Sequence, residues 1–169
     1  MPLDNICYNG YYGVVTRRLQ EEIKQRRPFG SLEEEVTLGL ARTADAMARS
    51  AEEVLKGTGL TATQYNVLRI LRGAGAAGLS CGEVAGRMIT RDPDLTRLLD
   101  RLESRKLVTR ARDGDDRRVV TTRITQGGLA LLAQLDAPVL EQHRRTLGHL
   151  GDEKLRMLAQ LLDEARSGA

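Results

Sequence analysis

Tryptophan is absent, and aromatic residues make up only 3% of the 169-residue chain. A core of this chain therefore cannot be organised around large rings and must pack through aliphatic side chains. Cysteine is almost as scarce: Cys7 and Cys81 stand far apart and form no Cys-x-x-Cys pair. That excludes a disulfide framework and the usual zinc spacing. No stretch approaches 18 uninterrupted apolar residues, so no membrane-spanning helix is expected. The opening MPLDNICYNGYYG lacks the basic region and long apolar run of a signal peptide, and a cytoplasmic location is the default expectation.

What is present is Leu, Ala and Val among 29% charged residues, the composition of helices packed by aliphatic ridges. The formal net charge is only +3, yet it is unevenly spread. From Arg87 to Arg123, 11 Lys and Arg face 7 Asp and Glu, so this segment carries +4 and the remainder about −1. A local positive field of this kind suits a polyanionic partner.

Periodicity divides the chain. Val15, Leu19 and Ile23 predict a short amphipathic helix between about Val14 and Arg26, ended by Pro28 and Gly30. Ser31 and Glu34 form a capping box that opens a long helix through Leu40, Ala44, Met47, Ala51 and Val54, stopped by Gly57 and Gly59. Thr61 with Gln64 predicts a second start, with Tyr65, Leu68 and Leu71 as its buried face. Ser80 with Glu83 predicts a third, through Val84 and Met88. Asp92 and Pro93 have the chemistry of an N-cap and first helical residue, ahead of a stripe at Leu95, Leu98, Leu99 and Leu102. Beyond Lys106 the period changes: LVTRAR and RRVVTTRIT, separated by 113-DGDD-116, predict a two-stranded hairpin. Two helices follow, one from Leu129 past Val139 with a bend expected at Pro138, and one from about Asp152 through Leu162.

The hexapeptide 73-GAGAAG-78 matches the dinucleotide fingerprint G-x-G-x-x-G, and a nucleotide-binding enzyme is accordingly one reading of the chain. The fingerprint requires a buried strand before the glycines and a long helix after them. Arg69 and Arg72 would put charge inside that strand, whereas the Thr61 box explains the same residues as helix. The glycines are expected to be a loose connection between two helices, with no cofactor.

Three short helices followed by a hairpin make a winged helix-turn-helix, whose third short helix enters the major groove. The exposed side of that helix offers Thr96, Arg97 and Arg101, with Thr90 and Arg91 just ahead. Arg takes guanine O6 and N7 bidentately, and Thr meets a thymine methyl or a phosphate. Arg110, Arg112, Arg117, Arg118 and Arg123 crowd the hairpin, a ribbon that would repel itself without an anionic partner. Asp116 is spaced to hold Arg118 extended.

These residues resemble the MarR (multiple-antibiotic-resistance regulator) family over roughly Leu32 to Arg166. The segments that carry the resemblance are 60-LTATQYNVLRIL-71, 95-LTRLLDRLESRKLVTR-110 and 116-DRRVVTTRITQGG-128. The last holds the family's Asp-x-Arg wing signature, Asp116-Arg117-Arg118, and its hydrophobic-Thr-x-x-Gly join into the next helix. Lys106 departs from the pattern: the family usually has Gly there, so a left-handed turn is not prescribed. The resemblance implies a mainly α fold with a small β-hairpin wing. Residues 1–30 would be an arm, 58–125 the DNA-binding region, and 31–57 with 126–169 the helices of a homodimer. It also implies a pseudo-palindromic double-stranded DNA operator and repression relieved when a small molecule or oxidant shifts the spacing of the two DNA-binding domains. A small aromatic or phenolic effector is a separate expectation, motivated by the concentration of aromatics in the N-terminal arm.

His143 and His149 are six apart, the wrong spacing for a shared helical metal site, and read as interface or surface residues. No nucleophile and base are juxtaposed, so no enzyme is expected. A peroxide-sensing thiol switch would use Cys81, placed at a helix N-terminus, or Cys7 in the Tyr-containing arm. The competing expectation is a small, buried Cys81 and an incidental Cys7.

Overall fold

The computed structural model describes residues 15–90, 92–112 and 120–168 and, within them, the side chains beyond residue 18. Along the chain run α1 (Val15–Glu22), α2 (Leu32–Leu55), α3 (Ala62–Ala74), β1 (Leu79–Ser80), α4 (Cys81–Arg87), α5 (Leu95–Ser104), β2 (Val108–Arg112), β3 (Val120–Ile124), α6 (Gln126–Leu147) and α7 (Gly151–Ser167). Two compact units divide within α2, one up to Met47 and one from Ala48 onward.

In the first unit the Ser31 box forms with a shift. Glu34 N–H donates to Ser31 Oγ at 3.2 Å, but the Glu34 carboxylate takes the N–H of Gly30, at 2.6 Å. Glu33, Glu34 and Glu35 place negative charge in the first turn, where the helix dipole favours it. Leu32, Val36 and Leu40 are all exposed, at every fourth position.

The second unit holds a core whose buried hydrophobic residues, among those described, are all Leu and Val, drawn from the end of α2, the connection to α3, and then α3, β1, α4, α5, the turn into β2, β2 and α6. Helix α3 starts at the Thr61 box as its residues require: Gln64 N–H donates to Thr61 Oγ1, and Thr61 N–H donates to Gln64 Oε1. Its buried face is Gln64, Val67, Leu68 and Leu71, one step round from the expected Tyr65, Leu68 and Leu71. Gln64 can be buried because its amide is occupied at the cap; Tyr65 lies at the stripe's edge, half-buried, with the Arg69 guanidinium 5.9 Å from its ring centre.

Residues 67–71 are helical, so the strand a dinucleotide fold needs is replaced by α3. The glycines after it are not a loose link either. A 3-10 turn at Gly75–Ala77 feeds β1, and Gly78 has φ +70°, where a Cβ would stand 2.6 Å from the Thr122 carbonyl oxygen. Glycine there lets β1 pair with β3. The expected two-stranded hairpin is consequently a three-stranded antiparallel sheet, ordered β1-β3-β2. Leu79 faces Thr122, and Val108 faces Ile124. As the middle strand, β3 buries Thr121 and Thr122. The 113-DGDD-116 turn lies outside the described residues.

Helix α5 begins two residues later than its sequence chemistry indicates. The cap is Asp94, whose Oδ1 accepts from Arg97 N–H, while Asp92 Oδ1 accepts from Asp94 N–H at 2.8 Å. That local Asx bond competes with the helix and keeps Pro93 in the preceding turn. The stripe of Leu95, Leu98, Leu99 and Leu102 is buried as expected. At the other end Lys106 has φ 58°: the left-handed turn forms even with Lys. Lys106 N–H donates to Glu103 O and Leu107 N–H to Leu102 O, the paired bonds of a Schellman motif, with Leu102 and Leu107 both buried.

Thr125 joins this turn to α6. Its N–H donates to Leu107 O, its hydroxyl donates to Lys106 O, and its Oγ1 accepts from Gly128 N–H. A Cβ on Gly128 would lie 2.4 Å from Leu107 O. Pro138 sits inside α6, which runs on to Leu147.

Two changes at this joint have opposite expected effects in urea unfolding. Gly128→Ala forces α6 off the Leu107 carbonyl and destabilises by about 1–3 kcal/mol. Lys106→Gly removes left-handed strain of about 1–2 kcal/mol, partly offset by the freer unfolded chain, for a net stabilisation of about 0.5–1 kcal/mol.

Candidate nucleic-acid interface

With four leucines pinned beneath it, α5 turns Thr96, Arg97, Asp100 and Arg101 outward, and all four are exposed. Thr90 is exposed just ahead of the helix; Arg91 lies outside the described residues. The Arg97 side chain, 77% exposed, places Nε 3.2 Å from Asp94 Oδ2. Arg97 and Arg101 line a surface cavity of about 260 Å³ with Thr61, Thr63, Gln64, Asp92, Asp94 and Leu98. Arg97 and Arg101, two of the predicted reading residues of α5, therefore share one face with the start of α3.

The arginine ribbon is less free than its sequence implies. Arg112 ends β2 exposed, and Asp116, Arg117 and Arg118 lie outside the described residues. Arg110, by contrast, faces α5. Its backbone N–H and Nε donate to the two Glu103 carboxylate oxygens at 3.0 and 2.9 Å, and Nη2 donates to Asp100 Oδ1. The hydrogen bond to Glu103, then that to Asp100, pushes the Arg110 pKa above its ordinary value against the cost of burial. Arg123 Nε donates to Ala76 O at 3.0 Å, holding β3 to the glycine turn. Arg110 and Arg123 are thus internal braces, which corrects the picture of five arginines all awaiting an outside anion.

Two further arginine clamps carry no local sequence signal. Arg72 bridges α3 to α6 through paired 2.9 Å bonds to the Asp136 carboxylate. Arg105, at the end of α5, donates to Gly59 O at 2.6 Å and Thr58 O at 2.7 Å in the loop after α2. Partners more than 40 residues apart meet only once the core has formed. Beside the Arg72–Asp136 bridge, Tyr65, Arg69, Val139, Leu140 and His143 line a second cavity of about 160 Å³.

Cys81, expected to be buried, is the exposed first residue of α4; Cys7 lies outside the described residues. His143 and His149 are exposed. Among the described residues no cluster of His, Cys, Asp or Glu is arranged to hold a metal ion, and no helix is long and apolar enough to cross a membrane.

Three short helices, a wing strand pair and an outward Thr/Arg face on the third helix define the winged-helix class of DNA-binding proteins. Comparison with known proteins narrows this further. The MarR family profile matches residues 60–120. A solved MarR transcription factor from Planctomyces limnophilus is 43% identical, with TM-score 0.63, over 80% of this chain and 98% of that one. The Homoprotocatechuate degradative operon repressor of Escherichia coli is 27% identical over 79% of this chain and 88% of its own length. A structure of Bordetella bronchiseptica BpsR, solved in a study of how 6-hydroxynicotinic acid regulates its DNA binding, is 26% identical, with TM-score 0.71, covering 79% and 99%. The chain belongs to the MarR family of transcriptional regulators.

The Arg72–Asp136 clamp has a pH signature. The hydrogen bond from Arg72 holds the Asp136 carboxyl below its ordinary range. A lowered folded-state value adds stability above the unfolded value of about 3.9 and loses it as pH falls through the folded one. Asp136→Asn is expected to cost no more than about 1 kcal/mol at pH 7, since the pair is substantially exposed. In urea titrations its deficit should shrink as the pH is taken from 5 toward 2.

Proposed function

We propose that this chain is a homodimeric, cytoplasmic repressor, not an enzyme, that reads a pseudo-palindromic operator and releases it when a small aromatic or phenolic effector binds. The observation that carries the reading is α5, whose apolar side is wholly committed to the core while its Thr and Arg side is left to solvent. In this reading Thr90, Arg91, Thr96, Arg97 and Arg101 meet the major groove. Arg112, Arg117 and Arg118 meet phosphates or the minor groove, and Asp116 orients Arg118.

Dimerisation through residues 31–57 and 126–169 is supported by apolar side chains that are exposed among the described residues. Leu32, Val36 and Leu40 of α2 and Met157 and Leu161 of α7 are exposed, and α7 buries no residue. Apolar stripes on separate helices mark an interface. Repression and effector release follow the pattern of the named relatives, one a repressor and one regulated by a small aromatic acid. The cavity beside Arg72–Asp136, with Tyr65 and basic Arg69, has the chemistry for such an effector.

Selection of bound fragments from source genomic DNA tests this reading, with the native mass measured alongside. A dimer with a defined operator is expected; a monomer with no preference among fragments at moderate salt overturns it. On that operator Arg97→Ala relaxes preference at one base pair, costing about 1–3 kcal/mol. Arg118→Ala weakens binding to all sequences and lowers the salt slope by about one unit.

A further inference from the structure

We propose that Asp94 is a specificity-determining residue of the DNA-reading face, acting through Arg97 to suppress binding to non-operator DNA; this rests on the regulatory reading above. One carboxylate serves two partners. Asp94 Oδ1 accepts from Arg97 N–H at 3.4 Å, capping α5, and Oδ2 lies 3.2 Å from Arg97 Nε. The cap needs only an oxygen, which Asn or Ser supplies as well as Asp. The ion pair needs the charge. It joins side chains 77% and 50% exposed, three residues apart, and such pairs contribute little to stability. The consequence of the negative charge therefore falls on what Arg97 does.

The start of a helix ordinarily attracts phosphate, through free N–H groups and the dipole. Here two of those groups are occupied by carboxylates: Asp94 takes Arg97 N–H and Asp92 takes Asp94 N–H. Both acids share the cavity that Arg97 and Arg101 line, so the cations of the reading face stand beside two anions. A backbone phosphate approaching there is repelled by Asp92 and Asp94 and must compete with Asp94 for Arg97. A guanine edge carries no net charge and engages Arg97 by directed hydrogen bonds, so it suffers less from the same carboxylates. Tethering at Nε also restricts the Arg97 side chain before DNA arrives, which lowers the ordering cost of a directed contact. Non-specific association is phosphate attraction almost alone, so the anions penalise it most.

The test uses full-length Asp94→Asn, with Asp94→Ser as a second cap-preserving variant. Each is assayed on the genome-selected operator duplex and on a random-sequence duplex of equal length. Thermal midpoints should stay at the wild-type value. Affinity for random duplex should rise, and the operator-to-random ratio should fall about fivefold, the effect of one unit charge a few ångströms away in water. In an Arg97→Ala background the same Asp94 changes should move the ratio less, because the competition for Arg97 is gone and only direct repulsion of phosphate by Asp94 remains. An unchanged ratio in the single variants, or an equal fall in both backgrounds, overturns the proposal. Absence of discrimination by the wild-type chain would instead remove the regulatory reading, and this inference with it.

Discussion

The orientation of α5 rests on burial of four leucines in a core whose buried hydrophobic residues, among those described, are Leu and Val. Each such side chain withdrawn from water contributes about 1.5–3 kcal/mol, and the 3.6-residue period leaves no freedom over which side then faces out. With aromatics so scarce, shape complementarity between aliphatic ridges does the work rings do elsewhere. A polar replacement at Leu99 or Leu102 would release the helix and the surface it displays together.

The arginines divide into two populations that composition alone merges. Arg72, Arg105, Arg110 and Arg123 spend their donors on Asp136, on the carbonyls of Thr58 and Gly59, on Asp100 and Glu103, and on the Ala76 carbonyl. Planar, multiply donating guanidinium suits these bridges, which span separate elements in a way a lysine point charge would not. Arg97, Arg101 and Arg112 remain on the surface. The net excess counted between Arg87 and Arg123 is unchanged by these bonds, since Asp100 and Glu103 are already in the count and carbonyls carry no net charge, but fewer of its guanidinium donors are left for an outside anion.

Features governed by near neighbours were legible in the sequence. The caps at Thr61 and Ser80, the leucine stripe, and the change of period after Lys106 all depend on residues a few places apart. Features governed by tertiary partners were not. Asp92 looked like the cap, but its carboxylate closes an Asx bond and hands the role to Asp94. Nothing local foretells that Leu79 and Ser80 find β3, or that Gly78 is needed for them to reach it. Lys106 shows the converse: burial of Leu102 and Leu107 outweighs the penalty of a left-handed lysine. For the interface, the outward face of α5 could be read from periodicity. The withdrawal of Arg110 and Arg123 could not, because their acceptors come from α5 and the glycine turn.

Thr125 ties the end of α5, the sheet and the first turn of α6 with three bonds, and Gly128 closes the remaining gap against the Leu107 carbonyl. Such a hinge has no slack. A 22-residue helix is about 33 Å long, so a swing of five degrees displaces its far end by about 3 Å. Any such swing of α6 is constrained at its root by its bonds to the turn between α5 and β2, so leverage applied at the remote tip is carried toward the exposed Thr and Arg face of α5.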